Sequence, residues 1–172
     1  ESADVMRRCR RVVEDGEMRA RDLATYVWAF AALGPLEVDA TVMEGMLDQI
    51  VAEVASSRSR DAHGRHGPRF RSEDLGQLMW GLGMLKVRPS KTQLEVLQEL
   101  AVKMAPRMHA KNLSNVLWGF TSLGTAVDDT VLHALIRRCN SQLPAPPGAE
   151  PTIDPRGGTV TSKSASRAGY WL

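Results

Sequence analysis

The sequence predicts an all-α fold: an α-solenoid of about three and a half helix-turn-helix repeats, followed by an irregular C-terminal tail. Three observations predict it. The stretches "RDLATYVWAFAALG" from Arg21, "SEDLGQLMWGLGMLK" from Ser72 and "AKNLSNVLWGFTSLG" from Ala110 are versions of one another, each with a Leu five residues before a Trp and another five after it. Apolar residues within them recur at helical spacing. Behind each lies a second amphipathic segment, opening "DATVM" at Asp39, "SKTQL" at Ser90 and "DDTVL" at Asp128. Self-similarity at a period of roughly 20–50 residues marks an array of units, none of which can bury its apolar face alone.

Trp80 and Trp118 are 38 residues apart, and Trp28 and Trp80 are 52 apart. The excess is a 14-residue insertion, "SSRSRDAHGRHGPR" from Ser56 to Arg69, and without it the units align at 38 residues. The opening "SADVM" at Ser2 repeats "DATVM" at a shift of 37 residues. Residues 1–17 therefore read as the second helix of a preceding unit. Residues 18–55 form the first full unit, 56–69 a basic insertion loop, 70–106 the second unit and 107–143 the third. Together 1–143 make one array, and 144–172 a Pro/Gly/Ser-rich extended tail. A chain that opens in mid-unit at Glu1 is expected to be a processed product or a segment of something longer.

In the first helix of the first unit, Leu23, Tyr26, Val27, Phe30 and Leu33 fall on one apolar stripe. Leu75, Leu78, Met79, Leu82 and Leu85 repeat the stripe, as do Leu113, Val116, Leu117, Phe120 and Leu123. Trp28, Trp80 and Trp118 lie roughly 140° around the helix from the first Leu. A helix apolar on opposite sides is expected to be buried on both, so these indoles are expected to pack between neighbouring repeats. Burying one hides about 150–250 Å², which at about 25 cal/mol/Å² stabilises by roughly 4–6 kcal/mol before entropy is subtracted. Ala29 and Ala31, Gly81 and Gly83, and Gly119 and Thr121 follow the three Trp residues and permit close helix approach.

Asp22, Asp74 and Asn112 are N-cap residue types just before the first helices, and Asp39, Ser90 and Asp128 before the second ones. Gly34 and Gly124 end first helices, and Pro89 precedes Ser90. The second helices carry Met43, Leu47, Ile50 and Val54, then Leu94, Leu97 and Leu100, then Leu132, Leu135 and Cys139 at helical spacing.

Composition excludes several function classes. At 172 residues and 43% hydrophobic, the chain can bury one substantial core. Its net charge of +2 is close to balanced, so any polyanion site must come from where charge sits. Cys9 and Cys139, at opposite ends of the array, suggest neither a disulfide framework nor a zinc knuckle. The longest uncharged run, Asn112 to Val127, is 16 residues, short of the ~20 apolar residues of a membrane span. His63 and His66 lack a thiol or carboxylate set, so no metal site is expected. No nucleophile setting or phosphate-binding Gly loop is present, so the protein is read as no enzyme, without cofactor or small-molecule substrate.

Charge is segregated. From Lys86 to Lys111 there are six Lys or Arg and two acids, while Glu37 to Glu53 holds five acids and no base. Arg19, Arg71 and His109 occupy the same place four residues before each first Leu, with Arg21 and Lys111 nearby; repeated, that position gives a basic edge suited to a phosphate backbone. Arg58, Arg60, Arg65 and Arg69 face one acid, Asp61, in the insertion, a composition suited to phosphate contact. Thr25, Gln77 and Asn115, two residues after each first Leu, are the candidates for base-edge contact; the ordinary use of such a position is a hydrogen bond between helices. In the tail, Tyr170 and Trp171 are candidate anchors. Its Pro, Gly, Ser and Thr content predicts no independent fold, so any order in it comes from something outside the repeats, which favours a large assembly.

The string Leu-x-x-x-Leu-Trp-Gly-Phe-x-x-Leu-Gly from Leu113 to Gly124, with its 38-residue period, resembles the octotricopeptide repeat proteins of algal organelles. It is similar also to related helical arrays of organellar proteins in apicomplexans and dinoflagellates. The resemblance covers roughly Ser2 to Leu143. The proline-rich pentapeptide ending in Glu-Trp that names many algal members is replaced here by "LEVDATV", "VRPSKTQ" and "AVDDTVL". The resemblance implies paired-helix solenoids that bind RNA in mitochondria, or alternatively chloroplasts, for transcript processing, stability or translation, some of them within mitochondrial ribosomes. The expected function is therefore a non-catalytic, organellar RNA-binding array, an architectural protein of a mitochondrial ribosome or similar ribonucleoprotein that clamps rRNA. A free transcript factor and a protein-only scaffold are the alternatives.

Overall fold

Seven α-helices occupy the described parts of the chain: α1 (Ser2–Asp15), α2 (Ala20–Leu33), α3 (Ala40–Arg60), α4 (Ser72–Leu85), α5 (Lys91–Met104), α6 (Ala110–Leu123) and α7 (Asp129–Gln142). A 3₁₀ turn, Ala105–Arg107, extends α5. The structure is a computed structural model that describes residues 2–16, 18–34, 39–60 and 70–143. Among these there is no strand, and the fold is all-α.

The helices pack in two layers. In one, α4 lies between α2 and α6; in the other, α3 lies between α1 and α5, and α5 packs on α7. Sequential pairs α2–α3, α4–α5 and α6–α7 join the layers. The core runs through the seam, with Leu23, Met43, Ile50, Leu75, Leu78, Leu82, Leu97, Val116 and Leu135 almost wholly removed from water.

Glycine sets the spacing of the α2, α4, α6 layer. A Cβ built on Gly81 would lie 3.0 Å from the carbonyl oxygen of Val27, and one on Gly119 would lie 2.7 Å from the carbonyl carbon of Met79. Each glycine follows its Trp directly, and each meets the residue just before the preceding Trp, so one contact is made twice in the same register. Gly83 repeats the economy against Trp118, whose Cζ3 would be 2.8 Å from an added Cβ.

This close approach corrects the expectation for the indoles. Trp28 and Trp118 are each 40% exposed and Trp80 is half-buried. The backbones meet at the glycines, and the indoles pack on one another across the helices at the rim of the layer, where burial on both sides is not reached. Tyr26 and Leu33, placed on the core stripe by spacing, are likewise exposed, since among the described residues nothing covers that side of α2.

Helix starts differ from expectation in the first layer. Asp22, Asp74 and Asn112 are not N-caps; Arg19, Arg71 and His109 hold that place three residues earlier. At α2 and α4 an N-terminal N–H finds a carboxylate elsewhere. Asp74 accepts the backbone N–H of Arg71 at 2.7 Å from the third helical position, and Glu53 of α3 accepts the N–H of Ala20 at 2.6 Å. In the second layer the expected caps are in place. Asp39 accepts from Thr41 at 2.9 Å, and Ser90 forms a reciprocal capping box with Gln93. Asp128 is an N-cap without a side-chain cap bond; its own N–H donates to Gln98 at 3.0 Å. The Arg10 guanidinium, bonded to Asp39, holds that carboxyl below the usual range, with the Thr41 and Val42 N–H groups adding to the effect. α3 also runs through residues 56–60, which composition assigns to the insertion loop; nothing in Ser56–Arg60 breaks a helix.

Burial pushes the Asp74 carboxyl above the ordinary carboxylate value of 3.8 despite the Arg71 N–H. The folded protein therefore holds this proton more tightly than the unfolded chain does. Its contribution favours folding below pH 3.8 and is lost as pH rises through the folded value. Asn112 fills the same place in α6 and is similarly buried. Asp74→Asn is expected to be at least as stable as the parent in urea titrations at pH 7, with the margin shrinking as pH falls through the raised folded value and absent below 3.8, where the parent is protonated in both states. A large loss at pH 7 would contradict this.

Side chains tie the outer layer across its turns. Gln93, buried, donates to Asp48 of α3 at 2.7 Å. Gln98 donates to the carbonyl of Ala126, and Arg138 and Gln142 both donate to the carbonyl of Met108. Lys86 occupies the helix-ending place that Gly34 and Gly124 fill, in a left-handed conformation at φ 56°, and its ammonium donates to the carbonyl of Ser122.

Candidate nucleic-acid interface

The three indoles form one row across α2, α4 and α6. Ring centroids are 6.4 Å apart for Trp28–Trp80 and 6.5 Å for Trp80–Trp118, with the planes tilted by 42° and 33°. A tilted, offset pair suits the aromatic quadrupole better than a face-to-face one. The outer edges of the row remain open to solvent.

Thr25, Gln77 and Asn115 sit three residues before each Trp, one helical turn along the same side. Thr25 donates its hydroxyl to the carbonyl of Arg21 at 3.1 Å. Gln77 and Asn115 are part-buried, and neither side-chain amide has a hydrogen-bond partner among the described residues. Two amides with open donors and acceptors thus border the indole row. Seven residues before the Trp, on that side again, stand Arg21, Glu73 and Lys111, all three exposed. Glu73 interrupts the basic run.

Arg19, Arg71 and His109 lie at the N-termini of α2, α4 and α6, exposed and at one end of the layer. The Glu53–Ala20 bond brings the C-terminal part of α3 to that same end, so the backbone positions of Arg58 and Arg60, just beyond, belong there too. The side chains of Arg58 and Arg60, and all of Arg65, Arg69, His63, His66, Tyr170 and Trp171, lie outside the described residues. The opposite layer differs in sign: a groove of about 470 Å³ between α5 and α7 is lined by Glu95, Glu99 and Asp128 with Lys103. Among the described residues no group of three His, Cys, Asp or Glu could hold a metal ion, and no helix is long and apolar enough to cross a membrane.

The indole contacts across units and the unpartnered amides beside them are not legible from spacing alone, because both depend on how near the helices come. The repeated Trp-Gly pair in α4 and α6 is the available signal. No family model matches the chain, and neither does any curated protein or solved structure.

Proposed function

We propose that this chain is an α-solenoid of 38-residue units that binds single-stranded RNA, without catalysis, along the α2, α4, α6 layer. Equivalent residues make equivalent contacts: Gly81 on Val27 repeats as Gly119 on Met79, and Trp28 on Trp80 repeats as Trp80 on Trp118. The glycine contacts draw this layer together, while the other layer packs through full side chains. A stacked array closes toward its narrower side, so the indole layer is the concave one.

The observation that carries the reading is the half-exposed indole row bordered by the open amides of Gln77 and Asn115. Bases stack on aromatic faces largely regardless of sequence, and amides read base edges. Arg19, Arg21, Arg71 and Lys111 add positive charge at one end of that face beside the imidazole of His109, and the N-termini of three helices point there with their partial positive charge. The resemblance to organellar repeat proteins supports an RNA of a mitochondrion or chloroplast as ligand, with a ribosomal or similar particle as the setting.

The test is titration of the full chain with fluorescent single-stranded and duplex RNA over a range of salt. Single strands are expected to bind more tightly. With about six phosphate contacts, log K should fall against log salt with a slope near −4. Salt-independent binding, or none, would replace RNA with a protein ligand for the same face. Co-purification with ribosomal particles, set against sequence-selective binding by the isolated chain, separates the architectural role from the free factor.

A further inference from the structure

Among the described residues, nothing packs on the outer side of α6 and α7. Val27 on α2 and Met79 on α4 are wholly buried by the next helix of their layer, whereas their counterpart Leu117 on α6 is part-exposed and Thr121, the counterpart of Gly83, is exposed. The second layer grades the same way. Met43 is 0% exposed and its counterpart Leu132 39%; Leu47 is 1% exposed and its counterpart Ile136 43%; Leu143 reaches 67%. Stable array ends present a polar outer face to water. This one presents Leu117, Leu132, Ile136 and Leu143 beside the open edge of Trp118.

We propose that residues 163–172 of the same chain cover this end, with Trp171 set beside Trp118 as a fourth member of the indole row. Chain order favours that occupant, since in this chain a second helix is followed each time by a Trp-bearing segment. The interval agrees too: Trp171 stands 53 residues after Trp118, and Trp80 stands 52 after Trp28 across the longer of the two internal connections. In register with Trp171, the small residues Ala165 and Gly169 take the places of Asn112 and Val116, the side from which α6 meets α4, while Leu172 takes that of Gly119, so the covering segment is set further out than α6 is from α4. The 28 residues from Leu143 to Trp171 can span up to about 90 Å, far more than the ~21 Å length of a 14-residue helix. Tethering replaces a bimolecular encounter with a local concentration of order millimolar, so the tail competes well against a second copy. The inference rests on the stacked units of the proposed solenoid and is independent of RNA.

Hydrogen exchange of the full chain tests it. In the parent, α6 and α7 amides should be protected at every protein concentration. Trp171→Ala on the covering segment, and Leu117→Lys on the covered face, should each speed exchange in 110–123 by about tenfold while leaving α2 and α3 unchanged. Exchange in α6 that ignores Trp171→Ala would overturn the proposal, as would protection that grows with concentration, the mark of a second copy. Gly81→Val separates the two levels of inference: unchanged protection of α2 and α4 in that variant would remove the stacked-unit basis itself.

Discussion

Gly119→Ala should cost about 1–2 kcal/mol net in chemical unfolding, although alanine is the better helix former. Exchanging Gly for Ala inside a helix ordinarily gains roughly 1 kcal/mol. Here the added methyl would sit 2.7 Å from the carbonyl carbon of Met79, which is backbone in the middle of α4 and cannot swing aside. Relief requires α6 to move outward, opening the packing around Val116, Phe120 and Leu123, and overpacking of that kind costs about 1–3 kcal/mol or more. Gly81→Ala should be milder, since the first atom met is the Cγ1 of Val27 at 2.9 Å, the end of a side chain, with its carbonyl oxygen at 3.0 Å. Gly124 is the control: nothing lies within 4 Å of its added Cβ, and only its φ of 61° opposes substitution, a cost near 1 kcal/mol. That Gly119 should lose more than Gly81 follows from backbone proximity, whereas the Gly124 cost is conformational only. Equal losses at the three sites would show that glycine does not set the spacing of this layer.

Much of the fold was legible because apolar spacing reports which face of a helix meets the core. Leu23, Leu75 and Leu113 were placed by period and are buried, and the second helices behaved alike wherever a further helix covers them. The errors have local causes. Asp22, Asp74 and Asn112 look like caps, yet an acid or amide at the third helical position can reach back to the cap N–H, as Asp74 does, so residue type alone leaves the start uncertain by one turn. α3 runs on past the buried Val54 and into the stretch assigned to the loop, because helix persists until a breaker stops it. The candidate interface was half legible. Repetition put Trp28, Trp80 and Trp118 in register, but their exposure depends on the interhelical distance, which Gly81, Gly83 and Gly119 decide. That Gln77 and Asn115 keep open amides while Thr25 spends its hydroxyl on Arg21 is a matter of neighbours, on which a single sequence is silent.

The central indole should prove the most demanding of the three to replace. Trp80 has an aromatic neighbour on both sides at 6.4 and 6.5 Å, whereas Trp28 and Trp118 have one each and leave 40% of their surface in water. Each tilted pair is worth about 0.5–1.5 kcal/mol beyond area burial, and truncating a buried Trp costs about 3–5 kcal/mol. Trp80→Ala is therefore expected to lose about 3 kcal/mol of stability, and Trp28→Ala or Trp118→Ala about half as much. Circular dichroism should show the loss of indole coupling entirely in Trp80→Ala and in part in the other two. The end rungs are then the cleaner probes of binding, since they perturb the fold less and expose more ring. If RNA stacks on this row, Trp28→Ala and Trp118→Ala should each weaken single-strand affinity about tenfold, at 1–3 kcal/mol per stacked base, with the salt slope unchanged because no phosphate contact has been removed. Lys111→Ala should do the reverse, shallowing the slope by about 0.7 while leaving base preference intact. A face used for protein would give neither pattern: both indole variants would lose affinity for a peptide, and salt would matter little to either.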